Sequence, residues 1–224
     1  MHLPPPLRPI PALAKAGARA AVVAWLPLAN CGSGAAESTV QRSTNYYTVT
    51  GASLPAIEAS LQRSRPFVEM GPSHAYTTWN IRWNFQTESS SNGCLCSGFS
   101  TETRIRITLP YWQPSTNSRS WLPSAWNDYF QALRLHEAHH AELAEEAATE
   151  IHRRVSALGG SGDCDSLKRQ INTTGEAVLE EYRQKQKAYD VETRHGATQG
   201  AVLGGIGVRP RREEESKPPP PIPR

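Results

Sequence analysis

One long apolar stripe is the clearest pattern along this chain. Between residues 126 and 158, positions on one side recur in alternating steps of three and four residues, which predicts one face of a long helix. Glu137 and His140 occupy this stripe where an ordinary amphipathic helix has apolar side chains, and His136 flanks it. The pattern therefore directs polar groups towards the interior. The stripe consists of Trp126, Phe130, Leu133, Glu137, His140, Ala144, Ala147, Ile151, Val155 and Leu158.

Upstream of this helix the pattern changes to the period of two that is typical of half-buried strands. Alternation over residues 76–85 and 101–109 predicts two strands that pair as antiparallel neighbours, with a Ser- and Gly-rich turn region at 86–98. Residues 46–50 predict a first strand. Ser53 is the predicted N-cap of a short helix over 54–63. Pro110 and Pro114 are expected to end the sheet region.

A second long helix follows the first. Ser124 or Asn127 is the candidate cap of the first helix, and the Gly-rich segment 159–162 is expected to end it. Asp163 or Asp165 then begins a helix that runs towards residue 189 and packs antiparallel to the first. The predicted fold class is α+β, a small antiparallel sheet packed with two long helices.

The stripe contains the motif H-E-x-x-H, formed by His136, Glu137 and His140, so the first long helix resembles that of the zincins and is expected to be zincin-like. Residues four apart on a helix share a face, so both imidazoles can bind one metal ion, and Glu137 lies beside them as a candidate general base. Burying these groups unpaired would cost on the order of several kcal/mol, which a zinc ion would offset. The competing interpretation is a His-rich solvent face. His139 is assigned to the outer side of the helix.

A catalytic zinc site needs a third protein ligand. The longer motif H-E-x-x-H-x-x-G-x-x-H does not apply, because Leu143 and Glu146 stand where its glycine and third histidine would be. His152 lies among arginines and is interpreted as a surface residue, and His74 lies in a loop. His195 follows the second long helix, in a segment that could approach the motif.

The composition narrows the classes of function. The chain has 224 residues and a net charge of +3, and no basic stripe with interleaved aromatics, so nucleic-acid binding is not expected. Residues 1–36 are interpreted as an export signal, with lipidation at Cys31 as the alternative to simple cleavage. No transmembrane span is expected, and residues 202–224 are predicted to form a disordered Pro-rich and charged tail.

Cysteine usage agrees with export to the periplasm or the medium. A disulfide is the default expectation for an exported protein, and it would join Cys164 to Cys94 or Cys96 and leave one thiol over. A zinc site at Cys94 and Cys96 is the weaker alternative, because no second cysteine pair lies nearby.

The two motifs together resemble a known family. His136–Glu137–Ala138–His139–His140 and the later segment from Tyr189 and Asp190 through Thr193 to His195 and Gly196 are similar to an uncharacterised bacterial family of predicted secreted zinc-dependent proteases. The resemblance covers residues 46–201, and the domain is placed at 45–201. It implies His195 as third ligand, with Asp190 as the alternative ligand or, like Thr193, as a residue that orients a histidine. On ligand type we favour His195.

The expected activity is hydrolysis of peptide bonds in a peptide or protein substrate through a zinc-bound water, with Zn²⁺ held by His136, His140 and His195. Glu137 is the expected general base and Tyr189 a candidate oxyanion donor. Two other classes stay open: a non-catalytic, zinc-stabilised envelope protein, and an envelope binding module with Trp79 and Trp83 exposed. The sequence does not predict the substrate or the oligomeric state.

Overall fold

A computed structural model describes residues 38–66 and 73–204. The expected export signal, Cys31 and residues 205–224 of the predicted tail lie outside the described residues. The described part is an α+β structure with a small sheet and three helices, two of them long, as predicted. In chain order its elements are β1 (Thr39–Thr50), α1 (Leu54–Ser64), β2 (Tyr76–Ser90), β3 (Gly93–Gln113), α2 (Leu122–Ser156), α3 (Cys164–Thr193) and a 3₁₀ turn (Ala197–Gln199).

The sheet is mixed rather than wholly antiparallel. Its strand order is β1-β3-β2. β2 and β3 pair antiparallel, from Tyr76 opposite Thr108 to the hairpin end, which confirms the predicted neighbours. β1 pairs parallel with β3, beginning with Thr39 opposite Glu102. Parallel neighbours need a crossover connection, and here the chain between them contains α1 and the whole of β2.

Two predicted boundaries in the sheet are wrong for physical reasons. The turn expected at 86–98 is confined to the tip of the hairpin, because a bulge between Gln86 and Thr87 shifts the register and lets the ladder continue to Ser90 and Gly93. β3 also runs through Pro110, which pairs with Tyr47 of β1. The β2 ladder begins only at Thr108, so the missing amide of Pro110 breaks no bond to β2.

The helix predictions hold, with small shifts at their ends. The Ser53 side chain caps α1 by accepting from the amide of Ala56. α2 begins at Leu122, ahead of the candidate caps Ser124 and Asn127, with a proline in its first turn. Asp163 caps α3 by accepting from the amide of Ser166 at 2.8 Å. α3 continues past residue 189 to Thr193.

Both long helices pack on one face of the sheet, so the core lies between the helices and the inward side chains of β2 and β3. Ile105 packs on Ala141 and Ala144 of α2. Gly175 of α3 lies against the ring of Trp83, and an added Cβ would come within 2.7 Å of that ring. Trp79 and Trp83 pack against the core cluster instead of forming an open aromatic surface.

A disulfide ties the start of α3 to the hairpin. Cys94 and Cys164 are bonded, with their Cα atoms 5.0 Å apart, as one of the two predicted pairings has it. Cys96 is not a free thiol either, so the expectation of one cysteine left over is wrong. None of the described helices combines the length and the apolar composition that a bilayer crossing requires.

Candidate metal centre

The middle of α2 presents the H-E-x-x-H side chains to the interior, as the apolar stripe predicts. His136 is 1% exposed, Glu137 2% and His140 7%. The two imidazoles lie one helical turn apart, and their Nε2 atoms are 3.2 Å from each other. Such polar burial within an otherwise apolar stripe is costly unless each group has a partner.

α3 returns antiparallel and brings Asp190 to the histidine pair. Asp190 Oδ1 lies 3.1 Å from His136 Nε2 and 3.0 Å from His140 Nε2. These three residues form a group whose ligand atoms are close enough together to hold a metal ion. The group draws its members from two helices that are joined only through the Gly-rich connection, so its geometry depends on how α2 and α3 pack.

The outer nitrogen of each histidine faces an amide oxygen. His136 Nδ1 lies 3.0 Å from Gln199 Oε1, and His140 Nδ1 contacts Gln186 Oε1. Gln186 also donates from Nε2 to the backbone oxygen of His140 at 2.9 Å, which fixes the orientation of its amide. Because an amide oxygen only accepts, each Nδ1 must be the protonated nitrogen.

Three acceptors therefore converge at the centre of the group. With hydrogen on Nδ1, the Nε2 atom of a neutral imidazole has a bare lone pair, and the ionised Asp190 oxygen also only accepts. Without a cation, one of the two rings would have to carry a second hydrogen and a positive charge, and the single hydrogen on its Nε2 would have to serve both remaining acceptors. A metal ion bound by all three atoms satisfies them at once.

The electrostatics favour an ionised carboxylate at this point. Burial alone would raise the pKa of Asp190, but its contacts with His136 and His140 outweigh this and hold that pKa well below its usual range. Burial likewise opposes charge on His140, yet its contacts with Asp190 and Gln186 raise its pKa above the ordinary value. The centre is therefore suited to a positive charge.

The carboxylate of Glu137 contacts β2. Thr77 Oγ1 lies 2.6 Å from Glu137 Oε2 and donates to it. Burial raises the pKa of Glu137, and the hydrogen bond from Thr77 opposes that rise. Tyr76, the neighbour of Thr77, lies close enough that Asp190 and Glu137 add to the rise in its pKa that burial causes. The start of β2 thus forms one wall of the centre.

The segment after α3 turns sharply back onto His136. Arg194, His195 and Gly196 all adopt positive φ angles, at 51°, 53° and 82°. A Cβ on Gly196 would lie 3.1 Å from His136 Cγ, so this position needs glycine for space as well as for conformation. The Thr193 hydroxyl accepts from the amide of Gly196 at 3.3 Å and lies 3.5 Å from His136 Nδ1. This turn places Gln199 on the outer side of His136.

The structure places His195 beside the group and not within it. Its Nδ1 lies 3.3 Å from Asp190 Oδ1, and its side chain is 46% exposed. His195 as third ligand stays a prediction, and the geometry favours the alternative, Asp190. Tyr189 stacks on the His136 ring, with centroids 4.9 Å apart, and its hydroxyl lies 2.9 Å from Gln199 Nε2.

The other histidines of the described residues lie elsewhere. His139 is on the outer side of α2, as predicted, and packs on the Tyr189 ring. His74 contacts Tyr129 in a separate cluster. His152, expected on the surface, packs edge-on against Phe99 with ring centroids 5.6 Å apart. Its place next to the stripe position Ile151 brings it towards β3.

Sequence reasoning missed Thr77, Gln186 and Gln199. Thr77 has the same parity along its strand as Trp79, so the alternation already placed it on the inner face. Gln186 precedes Asp190 by four residues and therefore shares its helix face. Gln199 had no such signal, because only the left-handed turn at residues 194–196 brings it back to the site.

A family model covers most of this architecture. The model described as "Bacterial protein of unknown function (DUF922)" matches residues 44–196. The chain belongs to this family. The match includes both the H-E-x-x-H helix and the turn that ends in Gly196. No curated protein and no solved structure matches the chain. The family description names no activity, so function must be argued from the site.

Proposed function

We propose that this member of the family is a zinc-dependent metallopeptidase. The observation that supports this most strongly is the convergence of His136 Nε2, His140 Nε2 and Asp190 Oδ1, next to a buried glutamate on the same helix. The helix motif H-E-x-x-H is typical of metallopeptidases in which the glutamate acts as general base. Metal and glutamate together are the minimum that such hydrolysis requires.

The donor set fits zinc. Two imidazole nitrogens and one carboxylate oxygen are zinc ligands, and bonds of about 2.0–2.1 Å in a tetrahedral arrangement separate the ligand atoms by about 3.3 Å. The three separations here are 3.1, 3.0 and 3.2 Å. Three protein ligands leave the fourth position open, as catalytic zinc sites do. A bound zinc ion would supply Lewis acidity for hydrolysis.

In this proposal Glu137 moves the protons. Its carboxylate accepts a proton from the attacking water and passes it to the leaving amine. Burial raises its pKa towards the range in which a general base works best near neutral pH. Thr77 orients the carboxylate through Oε2, which leaves Oε1 for the proton. Tyr189 is less suited to stabilise an oxyanion than expected, because its hydroxyl is engaged with Gln199.

We assign the third ligand to Asp190 and give His195 the role of holding the carboxylate. Asp190 Oδ1 contacts the nitrogens of all three histidines, at 3.1, 3.0 and 3.3 Å. His195 is the most exposed of the three and reaches the centre only through Asp190. This assignment differs from the expectation from ligand type alone, which favoured His195 as the third ligand.

The localisation of the protein is proposed from its cysteines. Disulfides persist in oxidising compartments, so the Cys94–Cys164 bond supports the periplasm or the medium. The substrate is proposed to be a peptide or protein there, with lipid anchoring through Cys31 as a variant of the same localisation.

Elemental analysis of the purified protein, with matched variants, tests the metal. We expect stoichiometric zinc in the wild type, its loss in Asp190→Ala, and its retention with weakened affinity in His195→Ala. Zinc that is retained in Asp190→Ala but lost in His195→Ala would restore His195 as the third ligand. A wild type that stays zinc-free after reconstitution would reject the metal site altogether.

A second experiment tests the chemistry. Cleavage of a random peptide library, read by mass spectrometry, should fall on the order of 10²–10⁴-fold in Glu137→Gln, while zinc content stays unchanged. Glu142→Gln, an exposed carboxylate on the same helix, is the control and should cleave normally. Equal cleavage by Glu137→Gln and the wild type would contradict the assignment of the base.

One observation favours a closed, non-catalytic zinc site as second candidate. His195 Nδ1 is 3.3 Å from Asp190 Oδ1 and would become a fourth protein ligand after a small movement. In that case zinc would raise the stability of the domain without any cleavage of the library, and His195→Ala would open the position. The binding-module alternative is less well supported, because Trp79 and Trp83 pack on the core.

A further inference from the structure

The two glutamines that contact the histidine pair come from different parts of the chain. Gln186 lies on α3, one turn before Asp190, and contacts His140 Nδ1. Gln199 lies in the 3₁₀ turn after the left-handed segment and contacts His136 Nδ1 at 3.0 Å. No sequence motif links them, yet each places an amide oxygen on the outer nitrogen of one histidine.

Each amide is held by a further hydrogen bond. Gln186 Nε2 donates to the backbone oxygen of His140 at 2.9 Å, so the Gln186 side chain contacts both the ring and the backbone of His140. Gln199 Nε2 donates to the Tyr189 hydroxyl at 2.9 Å, and the backbone amide of Gln199 donates to the oxygen of Gly196. Rotation of the Gln186 amide would turn its oxygen towards the backbone oxygen of His140, so that two acceptors would face each other.

We propose that Gln186 and Gln199 are positioning residues that fix the hydrogen of both histidines on Nδ1 and so direct both Nε2 lone pairs at the metal. This inference rests on the proposed metal site. Without such a contact, the hydrogen of a neutral imidazole can lie on either nitrogen. The tautomer with hydrogen on Nε2 cannot bind the metal through that atom. The acceptor beside Nδ1 selects the tautomer with hydrogen on Nδ1 before a metal binds.

The acceptors are neutral, which adds a second consequence. Carboxylates often serve in this position and make the imidazole a stronger donor to the metal. Here Asp190 is the one carboxylate in the group, so two amides limit the negative charge of the centre. A variant with a carboxylate at position 186 would therefore have a higher metal affinity than the wild type. A variant with an apolar side chain of similar shape would have a lower one.

The test compares three variants of the full chain. Gln186→Met keeps the volume but removes the acceptor, Gln186→Glu keeps the acceptor, and Gln184→Met changes an exposed glutamine of the same helix that bonds only to Glu180. Zinc affinity is measured by competition with a chromogenic chelator. We expect Gln186→Met to lose on the order of 10–100-fold in affinity, and Gln186→Glu and Gln184→Met to lose none.

A spectroscopic readout separates positioning from packing. In ¹⁵N spectra of the zinc-loaded protein, the ring Nδ1–H of His140 should give a slowly exchanging signal in the wild type and in Gln186→Glu, and a rapidly exchanging one in Gln186→Met. Equal loss of affinity in Gln186→Met and Gln186→Glu would overturn the proposal, since a packing role or the bond to the backbone oxygen would then explain both. Unchanged affinity in Gln186→Met would overturn it as well.

The outcome for the proposed function is independent of this result. Affinity and ring signals are measured without any substrate, so a zinc-binding protein that cleaves nothing still decides the role of the glutamines. If the wild type binds no zinc, the metal-free spectrum decides it instead. In that spectrum, hydrogen on Nδ1 of His140 in the wild type but not in Gln186→Met supports the proposal, and hydrogen on the same nitrogen in both overturns it.

Discussion

Within the described residues, the polar cluster around His74 and the one around His136 and His140 are built in opposite ways. In the first cluster His74 Nδ1 lies 2.7 Å from the Tyr129 hydroxyl, and Nε2 lies 3.0 Å from Gln62 Nε2, which can only donate. Each ring nitrogen of a neutral His74 thus has a partner of the opposite role. The protein satisfies this histidine with its own groups.

In the second cluster the partners do not match. Both Nδ1 atoms of His136 and His140 donate outward to amides, and both Nε2 atoms face each other and Asp190. The same residue types, histidine with tyrosine, glutamine and a carboxylate, are present in both clusters. What distinguishes a metal centre from a structural histidine is therefore the count of donors against acceptors, and not composition or burial.

The largest effect that this comparison predicts concerns metal content. His140→Ala should purify without zinc, because one of two histidine ligands is gone, whereas His74→Ala should retain stoichiometric zinc. His74→Ala should instead lower the free energy of unfolding by about 1–3 kcal/mol, since it leaves the Tyr129 hydroxyl without that partner. Elemental analysis and chemical denaturation check the two halves. Loss of zinc in both variants would erase the distinction between the clusters.

A smaller effect is expected from the turn that supports the second cluster. Gly196→Ala and Gly200→Ala both place a side chain at positive φ, at 82° and 100°. Only at Gly196 would the new Cβ press on His136, at 3.1 Å from Cγ, while at Gly200 it would meet Ala132 at 3.6 Å.

We therefore expect similar losses of stability, on the order of 1 kcal/mol, in both glycine variants. Zinc affinity should fall about tenfold or more in Gly196→Ala alone, because the displaced ring belongs to a proposed ligand. Thermal melting and chelator competition measure the two quantities. An equal loss of affinity in both variants would indicate that the turn acts on the site only through general stability.

A third prediction concerns the hydrogen bond on Glu137, the proposed general base. Thr77→Val removes the hydroxyl that contacts Glu137 at 2.6 Å and keeps the shape of the side chain. Because that hydrogen bond lowers the pKa of Glu137 against the effect of burial, the pKa should rise further in the variant. The acidic limb of the pH–rate profile for library cleavage should shift to higher pH. Thr78→Val, on the outer side of β2, should leave the profile unchanged.

The smallest predicted effect concerns the pH dependence of the stability that His74 contributes. Burial lowers the pKa of His74, with Glu58 opposing this shift. The unfolded chain then binds a proton at a higher pH than the folded one, so this contribution to stability is complete above about pH 6.5 and is lost as the pH falls towards the folded pKa.

His74→Gln should remove that dependence. With a chelator present, the melting temperature of the wild type should drop between about pH 7.5 and 5.5 by roughly 1–2 °C more than that of His74→Gln. Parallel curves for the two proteins would show that His74 does not titrate differently in the folded and unfolded states.

Much of the fold followed from local pattern. The stripe on α2 predicted which side chains of the H-E-x-x-H motif are buried, and Ser53 and Asp163 marked two helix starts through their capping side chains. The parallel pairing of β1 did not follow, because alternation along a strand indicates its faces and not its neighbours. The continuation of β3 through Pro110 could not be predicted either, since it depends on the residue at which the β2 ladder begins.

The candidate site divides in the same way. His136, Glu137 and His140 were predictable because their spacing on one helix is local. The choice between Asp190 and His195 was not, because a break of the helix at Arg194 decides which of them faces inward. Gln199 was still less accessible, as its approach to His136 depends on three consecutive left-handed residues that no propensity predicts.

The antiparallel pair of α2 and α3 is fastened at both ends. At one end the Cys94–Cys164 disulfide joins α3 to the hairpin across 70 residues of sequence. At the other, a metal on His136 and Asp190 would close a loop of 54 residues. The disulfide restricts the unfolded chain by about 4 kcal/mol in the chain-entropy description, whereas a metal would stabilise the domain by binding to its folded state. A reductant and a chelator would therefore loosen opposite ends of one helix, while its buried apolar side chains keep its middle on the core.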